Sequence, residues 1–172
     1  MWYSTRMSEL PPITVHHLEL SRSTRILWML EELQLPYTLK VYKRNPKTFR
    51  APPELAEVHP LGRAPVVTVG EQVLAESGAI LEYLVDRFGQ SLRPSEPAAL
   101  QDYRFWLHYA EGSLMPPLLV RLILNRLRAA KLPFFIKPVA KKIADQIDSS
   151  FSTPAIQQHF DFIEAHLKAH PW

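Results

Sequence analysis

The chain has 172 residues, of which 47% are hydrophobic and 22% are charged, a balance typical of globular rather than disordered proteins. The net charge is +3, from 20 basic and 17 acidic side chains, and the Lys and Arg clusters at 121–131 and 137–142 are interleaved with apolar residues, unlike a nucleic-acid surface. Because no apolar run reaches the ~18–20 residues of a membrane span, we expect a cytoplasmic protein with neither a nucleic-acid nor a membrane partner.

Four strands and three helical segments are predicted in the first half, from short apolar runs and from strand or helix periodicity. In chain order they are a strand at 13–17, a helix at 24–34, a strand at 39–42, a short helical piece at 53–56, strands at 65–69 and 72–75 joined by a tight turn at Gly70-Glu71, and a helix at 77–88. This order, βαβ followed by ββα, predicts an α/β domain over residues 12–89.

The second half is predicted to be helical. Residues 90–97 have the prolines of a linker, and helical periodicity covers 97–112, 117–130, 135–147 and 153–169. We therefore expect an all-α domain over 98–172. No metal is predicted, because the histidines lack Cys, His or carboxylate partners at ligand spacing.

The absence of cysteine narrows the chemistry. Disulfides cannot form, and the protein cannot supply the attacking thiolate that thiol-disulfide exchange requires. A thioredoxin or glutaredoxin activity is therefore excluded, although the order of elements suits that fold. Any thiol in the reaction must arrive with the substrate.

The most informative motif is Ala64-Pro65, at the start of the third strand. Proline lacks the N–H of a sheet ladder and is confined to strand starts and edges, and an X-Pro bond has ready access to the cis form. An Ala-Pro sequence at this point leaves the backbone of Ala64 free to form hydrogen bonds with a peptide ligand. The alternative is an ordinary proline that closes a loop before a strand.

A second motif, Glu76-Ser77, precedes a helical run, so one of these residues lies where a helix cap belongs. Helix amides and the helix dipole favour a carboxylate at that point. Glu76 can meet an ammonium group while Ser77 and the amides meet a carboxylate, an arrangement that suits the head group of an amino acid. The alternative is a plain cap, with Glu76 stabilising the first turn.

Both motifs resemble the glutathione transferase family, as does the rest of residues 13–88. The segment Ser21-Arg-Ser-Thr-Arg25 is similar to the serine-type members, and Tyr42-Lys-Arg-Asn-Pro-Lys47, Ala51-Pro-Pro-Glu-Leu55 and His59-Pro-Leu-Gly-Arg63 resemble a bacterial and fungal branch. The resemblance implies a thioredoxin-like domain with a mixed sheet and a cis-proline, followed by an all-α domain. Family members continue with further helices, so the all-α domain is expected to be truncated.

The resemblance also implies a glutathione site. Ser21 is predicted to donate a hydrogen bond to the glutathione thiolate, with Ser23 as the alternative donor and a helix cap as the alternative role of Ser21. The predicted glutathione-binding residues are Arg63, Ala64, Pro65, Glu76 and Ser77, with Arg44 and Lys47 as weaker candidates that are also read as surface charges.

The implied function is a homodimeric transferase that joins the glutathione thiolate to small apolar electrophiles, with glutathione-dependent peroxidase activity as a further expectation. Trp106, Tyr109, Met115 and Leu119 are predicted to line the electrophile pocket. Alternatively they are core residues, since aromatic residues at helical spacing usually bury. The alternative function is a non-catalytic binding or scaffold module, which would keep Ala64-Pro65 and the fold without activating a thiol.

Overall fold

The computed structural model describes residues 10–170. The chain divides into two compact units, Met1–Leu100 and Gln101–Trp172. The first unit combines a sheet with helices, and the second is helical. The predicted fold class, an α/β domain followed by an all-α domain, is therefore confirmed.

From residue 10 to the 3₁₀ turn that ends at residue 92, the first unit contains four strands and three α-helices. They are β1 (Ile13–Leu18), α1 (Ser23–Glu32), β2 (Thr38–Tyr42), α2 (Glu54–Val58), β3 (Val66–Val69), β4 (Gln72–Ala75) and α3 (Ser77–Phe88), followed by a 3₁₀ turn at Gln90–Leu92. The sheet has the order β2-β1-β3-β4. Because β1 is parallel to β2 and antiparallel to β3, which is antiparallel to β4, the sheet is mixed, as predicted.

One row of the sheet aligns three neighbouring strands. His16 of β1 pairs with Val66 of β3, and Val66 pairs with Ala75 of β4. Pro65 has no N–H with which to extend the ladder, and β3 begins at the next residue. His17, Pro65 and Glu76 each lie one residue beyond this His16–Val66–Ala75 row, at the same end of the sheet.

Apolar side chains cover both faces of the sheet. On one face the buried residues of β1, β3, α1 and α3 form a cluster of Ile13, Val15, Val67, Val69, Ile26, Leu30, Ile80 and Leu84. On the other face Leu18 and Tyr42 pack with Leu55 of α2. The alternation within β1 follows the period of two along a strand, so α1 and α3 lie on one side of the sheet and α2 on the other.

The second unit contains two long helical runs, each interrupted by a π-helical turn of five residues. The runs are α4 (Pro97–Tyr109), which begins just before the unit boundary, with the turn Ala110–Leu114 and α5 (Met115–Ala129), and then α6 (Lys137–Ile147) with the turn Asp148–Ser152 and α7 (Thr153–Ala169). The helices α5 and α7 each have proline in their first turn, where a missing N–H is tolerated. These prolines lie near the positions at which the sequence predicts one helix to end and the next to begin. Within residues 10–170, no helix is long and apolar enough to cross a membrane.

An ion-pair cluster fastens α5 to α6 and to the π turn that follows α6. Arg128 donates to Asp148 at 2.9 Å and to Asp145 at 2.8 Å, and Arg121 donates to Asp148 at 3.2 Å. The hydrogen bond from Arg128 holds the pKa of Asp148 below its ordinary value. The two helical runs are thus linked by charge.

His16 is a buried polar side chain within the sheet. It is 6% exposed, its Nδ1 lies 2.8 Å from Tyr42 Oη, and its Nε2 has no hydrogen-bond partner within residues 10–170. Burial lowers the pKa of His16, and the charge of Lys40 lowers it further. The folded chain therefore favours the neutral imidazole.

We predict that His16 makes the first unit less stable as the pH falls. Because the pKa of His16 is lower in the folded chain than the ~6.5 of an unfolded histidine, the unfolded state takes up the proton first. The free energy of unfolding should then decrease below about pH 6.5, and urea unfolding at about pH 7.5 and about pH 5.5 measures the loss. His16→Val should lose less stability than the wild type between these two conditions, and an equal loss would contradict the assignment.

Candidate functional site

A small cleft lies at the end of the sheet, beyond the His16–Val66–Ala75 row. Its lining is Arg22, His59, Leu61, Arg63, Ala64, Pro65, Ala75 and Glu76. The cleft therefore brings together four of the predicted binding residues, including two exposed side chains of opposite charge, and its Ala64–Pro65 peptide bond is cis. The volume of about 60 Å³ accommodates a group the size of a carboxylate, so a larger ligand would extend over the surface.

Glu76 takes a strained backbone conformation at the start of α3. Its φ is 72° and its ψ is 126°, a region that residues with a side chain rarely adopt and that recurs at functional sites. The Glu76 side chain makes no capping hydrogen bond, so its carboxylate is available at the cleft. Ser77 is buried as the first residue of α3, and the amides of this turn are the donors that a helix N-terminus offers to a carboxylate.

Three side chains near the start of α1 form a continuous hydrogen-bond chain. Ser21 Oγ lies 2.7 Å from Ser23 Oγ, which lies 2.8 Å from His17 Nδ1. Ser23 is fully buried, whereas Ser21 is half-buried in the loop after β1. Ser21 is therefore the member that a ligand can reach. The sequence predicted Ser21 and Ser23 as alternatives, and the structure joins them and adds His17, which was not predicted.

The direction of this chain depends on one proton. A serine hydroxyl has a single donor hydrogen, and a neutral imidazole donates from one nitrogen only. If His17 donates from Nδ1 to Ser23, then Ser23 is free to donate to Ser21, and the Ser21 proton can point to a ligand. If Nδ1 accepts instead, both hydroxyl protons turn towards His17. Ser21 can therefore present a donor only when His17 carries its proton on Nδ1.

Arg44 fastens the loop that carries Ser21. Its guanidinium donates to the backbone oxygens of Glu19 at 2.8 Å, Phe49 at 3.0 Å and Leu20 at 3.2 Å. The guanidinium carbon also lies 4.8 Å from the centroid of the Phe49 ring, within cation–π range. Neither Arg44 nor the exposed Lys47 lines the cleft, and the contacts of Arg44 make it a support of the loop.

The second unit has an apolar groove of about 610 Å³, lined by Tyr103, Trp106, Leu107, Tyr109, Ala110, Leu114, Ile163, His166, Leu167 and His170. Of the four residues predicted for an electrophile pocket, Trp106 and Tyr109 line this groove. Met115 and Leu119 do not, and Leu119 is 52% exposed. At about 100° per helical residue, Met115 and Leu119 lie more than about 100° away from the face of the helix that carries Trp106.

Comparison with known protein sequences gives relatives over most of the chain. The family model for the N-terminal domain of glutathione S-transferases matches residues 21–87. Glutathione S-transferase 1 of Saccharomyces cerevisiae is 42% identical over 166 residues, which cover 92% of this chain and 70% of the yeast protein. The similarity therefore extends through both units and covers part of a longer relative.

Solved structures share the fold. A glutathione S-transferase from Actinobacillus pleuropneumoniae has a TM-score of 0.69 at 32% sequence identity, over 93% of this chain and 68% of that one. A glutathione transferase homologue from Sulfitobacter, solved with bound glutathione, has a TM-score of 0.70 at 19% identity, over 95% of this chain and 74% of that one. The second similarity shows the fold alone.

We predict that Arg44→Gln loosens the loop before α1. The variant cannot keep all three bonds to backbone oxygens, so the amide of Glu19, which donates to the Tyr42 carbonyl oxygen at 3.1 Å, should exchange with deuterium about tenfold faster. Hydrogen-exchange mass spectrometry of the peptide that spans this loop measures the change. Lys47→Gln removes an exposed charge from the neighbouring loop and serves as the matched control. Equal exchange in the wild type and Arg44→Gln would contradict the clamp.

Proposed function

The chain belongs to the glutathione S-transferase family, and on this basis we propose that it joins the glutathione thiolate to small apolar electrophiles. The family predicted from the sequence motifs is thereby confirmed. In the proposed reaction the glutathione sulfur forms a bond to an electrophilic carbon, from which a leaving group or a double-bond electron pair is displaced. The proposal depends mainly on the cleft, which combines Arg63, the Ala64 backbone and Glu76 beside the start of α3.

The cleft offers a partner for each charge of glutathione, which has two carboxylates and one ammonium group at neutral pH. We assign the glycyl carboxylate to Arg63, the γ-glutamyl ammonium to Glu76, and the γ-glutamyl carboxylate to Ser77 and the first amides of α3. The Ala64 backbone is assigned to the cysteinyl part, because Pro65 ends the sheet ladder beside it. Since Arg63 and Glu76 are exposed, each ion pair contributes about 1 kcal/mol or less.

We predict that Arg63→Gln and Glu76→Gln each weaken the binding of S-hexylglutathione about fivefold, because each variant removes one exposed charge pair. Calorimetric titration measures the affinity, and Lys47→Gln, which changes an exposed charge away from the cleft, should bind as the wild type does. Unchanged affinity in both cleft variants would place the ligand elsewhere on the molecule.

We assign activation of the thiol to Ser21. A hydrogen bond donated to a thiolate stabilises the charged form and lowers the thiol pKa. Ser21 is the accessible end of the chain that runs through Ser23 to His17, and the N-terminus of α1 adds positive potential nearby. For Ser21 to donate outward, His17 must donate from Nδ1, so His17 acts as a positioning residue for the Ser21 proton.

We predict that breaking this chain raises the pKa of the bound glutathione thiol. Ser21→Ala removes the donor and should raise the pKa by about one unit or more. His17→Leu leaves both serines in place but removes the donor to Ser23, so a rise of about half a unit is expected. His17→Asn, whose amide can donate from a similar position, should restore most of the wild-type value. Ultraviolet titration of the thiolate in the complex gives the pKa.

The affinity for S-hexylglutathione should change little in these three variants, which separates thiol activation from binding. An unchanged thiol pKa in Ser21→Ala would indicate that Ser23 or the backbone, rather than Ser21, donates the hydrogen bond to the thiolate. A wild-type complex whose thiol titrates like that of free glutathione would instead favour the non-catalytic binding module.

We also propose that the groove of the second unit receives the apolar electrophile. Its walls are aromatic and aliphatic, and Trp106 stacks on Phe162 with ring centroids 5.5 Å apart. Burying an apolar molecule against such walls contributes roughly 25 cal/mol for each Å² removed from water. From the family resemblance we also propose that the chain forms a homodimer and has glutathione-dependent peroxidase activity.

A further inference from the structure

The connection between α5 and α6 presents phenylalanine side chains to solvent. Phe134 is 87% exposed and Phe135 is 65% exposed, although phenylalanine normally buries. Both lie in a turn in which the Ile136 amide donates to the Pro133 carbonyl oxygen at 3.0 Å, and their ring centroids are 5.5 Å apart in an edge-to-face arrangement. Residues 131–137, here called the hairpin tip, are therefore an ordered apolar turn.

Basic side chains dominate the sequence around the hairpin tip. Residues 112–144 contain no acidic side chain, and their seven basic side chains are Arg121, Arg126, Arg128, Lys131, Lys137, Lys141 and Lys142. Arg121 and Arg128 are neutralised by the ion pairs with Asp145 and Asp148, which leaves an excess of lysines beside the apolar turn. Lys131 and Lys137 directly flank the apolar turn. The basic clusters at 121–131 and 137–142, which are interleaved with apolar residues, lie in this part of the chain. None of these residues belongs to the proposed glutathione site.

The apolar surface continues from the hairpin tip along α6. Val139, Ile143 and Ile147 are exposed, and their spacing of four residues places them on one face of the helix. Lys141 and Lys142 lie at other positions around the same helix. A helix with branched apolar residues on one face and lysines elsewhere is typical of segments that lie in a membrane interface.

We propose that the hairpin tip binds the surface of a membrane that contains anionic lipids. The two phenylalanine rings insert about 5–10 Å, to the boundary between the headgroups and the acyl chains, while the flanking lysines meet lipid phosphates. A second copy of the chain fits this surface less well, because two basic surfaces repel each other. Nucleic acid also fits less well, because the centre of the patch is apolar.

The expectation of no membrane partner was based on the length needed to span a bilayer. Surface attachment has different requirements, since it combines a shallow apolar insertion with attraction to anionic headgroups, and neither contribution is sufficient alone. The hairpin tip supplies both within seven residues of the chain, 131–137.

Flotation of the full chain with lipid vesicles tests the proposal. Vesicles of phosphatidylcholine alone are compared with vesicles in which about a third of the lipid is phosphatidylserine. We expect binding to the mixed vesicles and at least tenfold weaker binding, roughly, to phosphatidylcholine alone. Raising the salt to about 0.5 M shortens the Debye length to about 4 Å and should release most of the protein.

Paired variants separate the two contributions. Phe134→Ser combined with Phe135→Ser should reduce binding to mixed vesicles about tenfold, and Lys131→Gln combined with Lys137→Gln should do the same. All four side chains are exposed, so the fold should be kept, which circular dichroism checks. Phe160→Ser combined with Lys168→Gln changes an exposed ring and an exposed charge on α7 and should bind as the wild type does.

The proposal is overturned if the wild type does not float with mixed vesicles, or if the phenylalanine variant floats as well as the wild type does. Binding to DNA that depends on the lysines but not on the phenylalanines, without vesicle binding, would assign the surface to nucleic acid. Conversion of a dimer to a monomer by the phenylalanine variant, again without vesicle binding by the wild type, would assign it to a second copy of the chain.

Discussion

The alignment of His16, Val66 and Ala75 across three strands is the constraint on which the first unit depends. It places three segments that are distant in sequence at one end of the sheet, namely the loop after β1, the Ala64-Pro65 step and the start of α3. Because side chains alternate along a strand, a slip of one residue would turn Val15 out of the apolar core. The core thus determines the register, and the register determines which residues meet in the cleft.

Hydrogen bonds within the folded chain stabilise the strained backbone conformations at this end of the sheet. Glu76 and Leu20 both have positive φ, of 72° and 53°, and such conformations persist when the surrounding structure determines them. The Ile80 amide donates to the Glu76 carbonyl oxygen at 3.0 Å, and Arg44 binds the Leu20 carbonyl oxygen at 3.2 Å. The groups that we propose for glutathione binding are therefore ordered before the ligand arrives, which lowers the entropic cost of binding.

Local sequence patterns were sufficient for the elements of the fold and for the parts of the site that depend on residue type, such as the missing N–H of Pro65. The link from His17 through Ser23 to Ser21 could not be predicted, because it depends on where α1 begins relative to β1. The bonds of Arg44 were missed for a related reason, since their acceptors are backbone oxygens, which any residue supplies. The π turn at Ala110–Leu114 has no compositional signal and could not be predicted from the sequence.

Thiol activation as proposed requires that the Ser21 hydroxyl meets the thiol of glutathione bound in the cleft. A crystal structure of the chain with glutathione tests it most directly, through the distance from the glutathione sulfur to Ser21 Oγ. We expect a hydrogen-bonding distance of about 3.5 Å or less, with the γ-glutamyl group at the start of α3. A sulfur atom more than about 5 Å from Ser21 Oγ, or one that faces a different donor, would show that Ser21 does not activate the thiol.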